Sequence, residues 1–456
     1  MLPHLQVRYT PPSTLPSEPP FQPDVDRLPR PLLRHDHPAS FYFPDIDHPP
    51  PHLYSNYTVR PGPLTSPRFL RFTSTHIGTD RDTQQATGLP IACIWQPLAD
   101  VPIDETVPLL DSPDIARCES CQAFTNPFCE VLAAGHRFKC NMCGTEQRTS
   151  ENALRRKGPF TERECGLYDI PVPVDMSQSS RTVFAICVDV SLIGANFGLY
   201  RTVYGSIKDA LEFLPSPAST SFLLLSFDSQ LCCYLNSPQV QSVLVTDQND
   251  LFIPVPLSDL LFPASDPGLG ERLAFLMEAP RAEMTGNALA VGDIVAALKE
   301  VLPQGSRVMV VVSNIGSAGR WGVEAETGSS WKAPQIDLVP LATDTARAGI
   351  TVDLFVCSGK YMDLVSLSAL TSLTGGEIHH FPGFLPARDN APLCYQLIRT
   401  VTRPQVSHFH AKVRTSDGLN LIEALGHTLR KSPTEFTVPL LDCDQAVALL
   451  FEHDSR

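Results

Sequence analysis

What this sequence lacks excludes most functional classes at once. Charged residues are only 18% of its 456 positions, and Asp plus Glu outnumber Lys plus Arg by 49 to 35, giving a formal net charge of −14. A general binder of nucleic acid or of anionic membranes neutralises phosphates with clustered Lys and Arg, so those classes are set aside. No apolar run approaches the roughly 20 residues that span a bilayer. The opening stretch MLPHLQVRYTPPST has no signal-peptide apolar core. A soluble, cytoplasmic protein is expected, in which Asn56-Tyr57-Thr58 is a chance glycosylation sequon. Catalytic signatures are missing too: there is no Gly-x-x-x-x-Gly-Lys-Ser/Thr phosphate loop, Gly-x-Ser-x-Gly elbow or His-Glu-x-x-His helix. His379 and His380 adjoin on a predicted strand, where alternation sends them to opposite faces. Spacing singles out no cysteine–histidine pair as a nucleophile. The expected chemistry is binding.

Cysteine is present, but not as a secreted disulfide framework. The thirteen cysteines are odd in number, and most stand singly in apolar runs, such as Cys187 in FAICVDV and Cys357 in DLFVC, which fits a reducing compartment. Four are arranged differently. Cys118/Cys121 and Cys140/Cys143 are two Cys-x-x-Cys knuckles with eighteen residues between them. Each knuckle brings two sulfurs to one metal from a tight turn, and four thiolates suit a tetrahedral zinc ion. With cysteine at all four positions no ligand place is left for water, so one structural zinc is expected rather than a catalytic one. The segment between the knuckles is expected to fold back as a small hairpin. Cys129, beside Phe128, reads as a small apolar filler.

Along the chain, residues 1–54 are dense in proline and read as a disordered or polyproline-like tail. PRFLRFTST alternates apolar and polar residues, and LPIACIWQPL is a short apolar run; both read as strands that need partners from elsewhere. They open the first part of a β-sandwich at 55–113, followed by the zinc ribbon and linker at 114–157, where Arg155, Arg156 and Lys157 form a basic triplet. From 170 to 393 the pattern is α/β. RTVFAICVDV, SFLLLSF, RVMVVVSN and ITVDLFVC are buried strands, and helices lie between them at about 199–214, 286–302, within LVPLATDTARAG, and within MDLVSLSALTSLTGG. EIHHF closes this series, and a doubly wound, mostly parallel sheet is predicted. The segment DLFIPVPLSDLLFP reads as a proline-rich loop. Residues 394–456 return to short alternating strands with an Asp417-Gly418 turn, the second part of a discontinuous sandwich around the inserted ribbon and α/β unit.

The loop after the first α/β strand, Asp189-Val190-Ser191-Leu192-Ile193, resembles the Asp-x-Ser-x-Ser metal loop of a von Willebrand A domain. Ile193 replaces the second serine, and SNIGSAG after RVMVVV lacks the acidic residue of such sites, so a metal-free scaffold is expected rather than a magnesium site.

Several stretches in order resemble the cargo-adaptor branch (Sec twenty-four type) of the COPII vesicle-coat inner-layer proteins. They are PRFLRFTSTHIGTDRDTQQATGLPIACIWQPLAD, the knuckles RCESCQAFTNPFCEV and KCNMCG, DQNDLFIPVPLSDLL, VDLFVCSGKYMDLVSLSALTSLTGGEIHHFPGF and GLNLIEALGHTLRKS, spanning about 55–456. The resemblance implies a non-enzymatic, von Willebrand A-like trunk that pairs as a heterodimer with the GTPase-activating coat subunit. It implies indirect contact with the small coat GTPase and outer-coat proteins, and peripheral attachment to the endoplasmic reticulum membrane and coated vesicles. It further implies capture of the cytosolic tails of cargo proteins. One family pocket for acidic signals lies between the first knuckle and the sandwich. By position Arg117 matches the arginine before the first cysteine, and Lys412 and Arg414 match basic residues of the returning strand; guanidinium suits carboxylate capture. Gln122 stands where the family has arginine. The family continues with helical and gelsolin-like domains, whereas this sequence stops at Arg456, so it reads as a fragment, a short isoform or a divergent gene without those modules.

Two other readings use the same features. The GTPase-activating sister subunit shares the architecture and would stimulate GTP turnover. A nuclear repair or transcription scaffold also joins an A-type domain to a zinc ribbon and would bind nucleic acid, against which the acidic balance counts.

Overall fold

The computed structural model describes residues 40–44, 50–51, 57–103, 105–110, 115–149, 161–171, 181–237, 239–278, 288–314, 316–317, 319–322, 337–360 and 362–454. Most of the proline-rich stretch, Asn56 and the Arg155–Lys157 triplet lie outside them. No helix among the described residues is long and apolar enough to cross a membrane.

Strands β1 (Ser40–Tyr42) and β2 (Tyr57–Val59) form a parallel pair, followed by β3 (Leu70–Phe72) and β4 (Ile91–Trp95). The two arginines of PRFLRF fasten these pieces together. Arg68 grips both carboxylate oxygens of Glu105 at 3.1 Å and donates to the Tyr57 carbonyl at 3.0 Å. Arg71 donates to the Pro51 carbonyl at 2.9 Å and to the Tyr57 hydroxyl at 3.0 Å. Between β4 and the trunk stand the ribbon strands β5 (Glu130–Leu132), β6 (Arg137–Lys139) and β7 (Glu146–Arg148).

The trunk sheet uses β8 (Thr182–Asp189), β9 (Thr220–Phe227), β10 (Leu231–Leu235), β11 (Gln241–Val245), β12 (Leu261–Pro263), β13 (Ser306–Val312), β14 (Ile350–Val356) and β15 (Ile378–His380). Their order is β11-β10-β9-β8-β13-β14-β15, with β12 added beside β9. The pairs β9–β8, β8–β13, β13–β14 and β14–β15 are parallel, while β10, β11 and β12 run antiparallel to their neighbours. Every residue of β9, β13 and β14 is buried, which is why these strands read as largely apolar runs, with Arg307 and Asp353 as their charged exceptions. Val183, Ala185 and Cys187 face a layer containing helices Val291–Lys299, Val339–Arg347 and Leu364–Ser372; Phe184, Ile186 and Val188 face helices Leu199–Ala210, Leu269–Glu278 and Pro386–Thr402. The sheet is doubly wound, as expected. Two details differ from the reading of the sequence. The supposed loop DLFIPVPLSDLLFP carries β12, and the boundary expected between 393 and 394 falls inside the seventeen-residue helix Pro386–Thr402. That helix packs on the trunk through Leu393, Leu397 and Val401 despite Pro392 in its interior.

The sandwich takes β16 (Gln405–Lys412), β17 (Leu419–Leu425), β18 (Leu429–Ser432), β19 (Glu435–Asp442) and β20 (Val447–His453). One sheet is β16-β19-β18 and the other β17-β20-β4-β3, so strands from before the ribbon and after the trunk share a sheet, with Leu449 opposite Cys93. Trp95 seals the two sheets against Phe409 and Phe436, at ring-centroid distances of 5.8 and 6.3 Å. The Asp417-Gly418 turn closes no hairpin: β16 before it and β17 after it lie in opposite sheets.

Trunk and sandwich meet on a buried ionic network. Arg307 of β13, fully buried, donates to Asp442 at 2.9 Å and stands 3.4 Å from Asp353. Arg403 lies 2.8 Å from the same Asp442 oxygen and 3.3 Å from Asp444. His379 belongs to this junction, stacked on Phe355 at 4.7 Å with Nε2 3.4 Å from Glu377. Burial holds its pKa below the ordinary histidine value, against the opposing pull of Asp353 and Glu377. The unfolded chain therefore takes up this proton at a higher pH than the folded one. The stabilisation is complete above about pH 6.5 and is lost as pH falls through the folded value. Melting temperature should fall between about pH 7 and pH 5 in the native chain and fall less steeply in His379→Gln. Equal slopes in paired melting scans would remove His379 as the cause. Asp444, held down at about 2 chiefly by its hydrogen bonds to Arg399, contributes a separate loss at stronger acidity, below about pH 3.9.

Candidate metal centre and the strand beside it

Each knuckle is a turn closed by its own backbone. Cys118 N donates to the Ala123 carbonyl at 2.8 Å and Gln122 N to the Cys118 carbonyl at 2.8 Å; Cys140 N donates to Thr145 at 3.0 Å and Gly144 N to Cys140 at 2.9 Å. The residue after the second cysteine of each pair turns left-handed, Gln122 at φ 60° and Gly144 at φ 69°. Glycine takes that conformation freely; Gln122 is held there while its amide donates to the Glu119 carbonyl at 3.0 Å. The intervening segment folds back as the hairpin β5–β6, as expected, and β7, beyond the second knuckle, adds a third antiparallel strand; an isolated bridge joins Arg117 and Phe124 at the first knuckle.

The four sulfurs lie within 4.8 Å of one another, with Cys118–Cys143 at 3.5 Å and Cys121–Cys140 at 3.6 Å. A tetrahedron of zinc–sulfur bonds of about 2.3 Å has edges of roughly 3.8 Å, so the set fits the ion. Among the described residues this is the grouping of Cys, His, Asp and Glu close enough to share a metal. Burial pushes the Cys121 thiol up to about 12, whereas hydrogen bonds from Thr145 hold Cys143 down at about 6. A divalent cation held by these four sulfurs would favour the thiolate form of each. Cys129 is buried outside the set, with its Sγ 3.4 Å from Asn141 Oδ1.

The three basic residues expected near the first knuckle have distinct neighbours. Arg414 sits on the chain leaving β16, and its Nε donates to the Cys121 carbonyl at 2.9 Å, tying the sandwich to the knuckle. Arg117 is exposed with its guanidinium 4.0 Å over the Phe124 ring. Lys412 forms an ion pair with Glu435 across the β16–β19 ladder and holds that carboxyl below its usual range. The structure thus brings Arg414 to the metal turn and gives Lys412 an acidic partner, with Arg117 on the flank of the same knuckle.

At the carboxyl end of β8 the A-domain-like loop is closed by protein donors. One Asp189 oxygen accepts from Ser191 N at 2.8 Å, the other from Ser313 N at 2.9 Å and Ser313 Oγ at 2.5 Å. Ser191 Oγ accepts from Asn314 at 3.3 Å. The oxygens that would face an ion are already engaged. Millimolar magnesium should leave the melting temperature within about 1 °C, and Ile193→Ser should not create a response; a magnesium-dependent rise in either would contradict this account.

Residues 115–152 match the Sec23/Sec24 zinc finger and residues 179–401 the Sec23/Sec24 trunk domain. The chain is 26% identical over 443 residues to protein transport protein SEC24 B of Arabidopsis thaliana, covering 90% of this chain and 40% of the relative. It is 26% identical over 486 residues to protein transport protein sec24 of Aspergillus oryzae, covering 96% of this chain and 52% of the relative. It thus spans about half or less of the length of these curated relatives. The crystal structure of the human COPII-coat protein Sec24c shares the fold, with a TM-score of 0.81 at 22% identity over 92% of this chain and 60% of that one. The zinc finger carries a structural zinc, for which the four cysteines provide a fitting cage. With a finger and a trunk of the same kind in one chain, set in a shared fold, the protein belongs to the Sec23/Sec24 family, and the relatives named here are Sec24 proteins.

Proposed function

We propose that this chain is a non-enzymatic subunit of the COPII vesicle coat acting in endoplasmic reticulum to Golgi transport. In this reading the trunk pairs with the GTPase-activating coat subunit, and through it with the small GTPase and outer coat, on the cytoplasmic face of the endoplasmic reticulum membrane. Cys118, Cys121, Cys140 and Cys143 hold the zinc. Arg117, Lys412 and Arg414 border a surface for acidic sorting signals on cargo tails, with Arg414 bonded to the Cys121 carbonyl of the knuckle. The observation that carries the reading is the presence of both Sec23/Sec24 domains in one chain, finger before trunk. The closed Asp189 loop supports a scaffold that binds by its surfaces rather than through an A-domain metal.

Co-purification of the zinc-loaded chain with the GTPase-activating coat subunit tests pairing. A stoichiometric complex that survives gel filtration is expected. Folded, zinc-loaded protein that does not associate would defeat the pairing claim. Acceleration of GTP hydrolysis by this chain alone would instead assign it to the sister subunit.

A further inference from the structure

The described chain leaves the trunk for the second part of the sandwich at Arg403-Pro404, between the end of helix Pro386–Thr402 and the start of β16. Arg403 is extended there, φ −66° and ψ 146°, as the residue before proline prefers. Its side chain is only 3% exposed, and its contacts come from both sides of the crossover. Asp442, at 2.8 Å, ends β19 and Asp444, at 3.3 Å, follows it in the sandwich; Glu377, at 3.8 Å, leads into β15 of the trunk. Asp442 is shared with Arg307 of β13, and Arg399, one helical turn before the crossover, holds both oxygens of Asp444 at 2.9 and 2.7 Å.

The surrounding backbone is fitted to one orientation. Cys443 N donates to the Pro404 carbonyl at 3.0 Å, Gln445 donates to the Gly375 carbonyl, and the His427 ring bonds the Gly376 carbonyl. Gly375 is left-handed at φ 79°, and a Cβ there would stand 2.3 Å from Val438 of β19. A purely apolar seam would stabilise such a contact at least as well, since buried ion pairs roughly break even against packed hydrocarbon. Arg307 Nε and Nη1, Asp353 Oδ2, and Arg403 Nε and Nη2 make no well-aligned hydrogen bond here, so Arg307 Nε to Asp353 and Arg403 Nη2 to Asp442 are ion pairs held by charge. Directed charge pairs set an angle and register that an oily surface does not.

We propose that Arg403 is a hinge lock: the crossover residue uses its own guanidinium to hold the sandwich carboxylates Asp442 and Asp444 against the trunk, so that the two parts move as one body. Releasing it lets the sandwich swing about residues 403–404 while both folds persist.

The test uses the full zinc-loaded chain and hydrogen exchange read by mass spectrometry. Arg403→Met keeps the aliphatic stem and removes the charge. Asp444→Asn alters the half-exposed carboxylate and leaves the Arg307–Asp442 pair in place. Both should speed exchange in segments 374–379 and 442–446 by roughly tenfold, with β8, β13 and β20 unchanged and the radius of gyration from X-ray scattering increased. Arg403→Lys, which holds fewer oxygens at once, should fall between native and Met. Unaltered junction exchange in the variants would overturn the lock. So would acceleration spread equally over trunk and sandwich cores, which marks a residue serving stability alone. Should Arg403→Met not be recovered folded, the same two readouts on Asp444→Asn decide.

Discussion

Cys118→Ser or Cys140→Ser should each abolish zinc binding and unfold the ribbon, while the trunk keeps its melting temperature. The ribbon has little else to stabilise it. Its buried apolar cluster consists of Ala116, Ala123, Phe138 and three of its cysteines, Cys118, Cys129 and Cys140, far less than the clusters flanking the trunk sheet. Zinc in finger peptides is worth about 10–16 kcal/mol of apparent binding energy coupled to folding, which exceeds what so small a core supplies. Zinc per chain should fall from about one to near zero by atomic emission. Amide exchange across β5–β7 should rise by several orders of magnitude, and a chelator should reproduce both changes in the native chain. Full zinc content in the purified variants would refute the four-thiolate cage. Because Arg414 is bonded to the Cys121 carbonyl, β16 should also lose protection at its Lys412 end.

Asp442→Ala should be the most damaging substitution away from the metal. It strands two buried guanidiniums, Arg307 and Arg403, that share one carboxylate oxygen. Removing one member of a buried pair costs about 3–5 kcal/mol, because the remaining charge stays desolvated. Burial alone would depress the Arg307 pKa, but Asp353 and Asp442 more than offset it, which measures how far the cation depends on its partners. Urea denaturation followed by exchange at the sandwich strands gives the number. A loss below about 1 kcal/mol would show that the two arginines find other partners. Replacing Arg307 by Met as well should recover part of the loss, since the double change removes a stranded charge with its former partner.

How far the fold is legible depends on where its information is stored. The trunk strands announce themselves because a sheet covered on both faces needs continuous apolar runs, and the ribbon because two knuckles must point at one ion. The helix Pro386–Thr402 is hidden by its own interior proline, although Leu393, Leu397 and Val401 recur at helical spacing and betray it. The Asp417-Gly418 dipeptide carries the usual hairpin residues but serves a crossing between sheets, a choice made by the strands around it rather than by the turn. At the site, the cysteines are readable from spacing. The partner of Arg414 is not, because it is a backbone carbonyl 293 residues away, which no side chain announces. Arg307 and Asp442 are likewise 135 residues apart. The signal available was a lone arginine at the head of VMVVV, a charge that a buried strand tolerates only when paired.

β4 has a timetable as well as a place. Its partner β20 is made about 350 residues later, which at roughly 5–20 residues per second means an interval of about 20–70 seconds during synthesis. Throughout that time β3 and β4 present unpaired edges, and Cys93 and Trp95 have no opposing sheet to cover them. The trunk, contiguous in the chain, can fold meanwhile, so β20 closes a seat that β4 has held open. Newborn chains of this protein are therefore exposed to mispairing until β20 emerges, and a chaperone that shields an open strand edge would act on β4 rather than on the trunk.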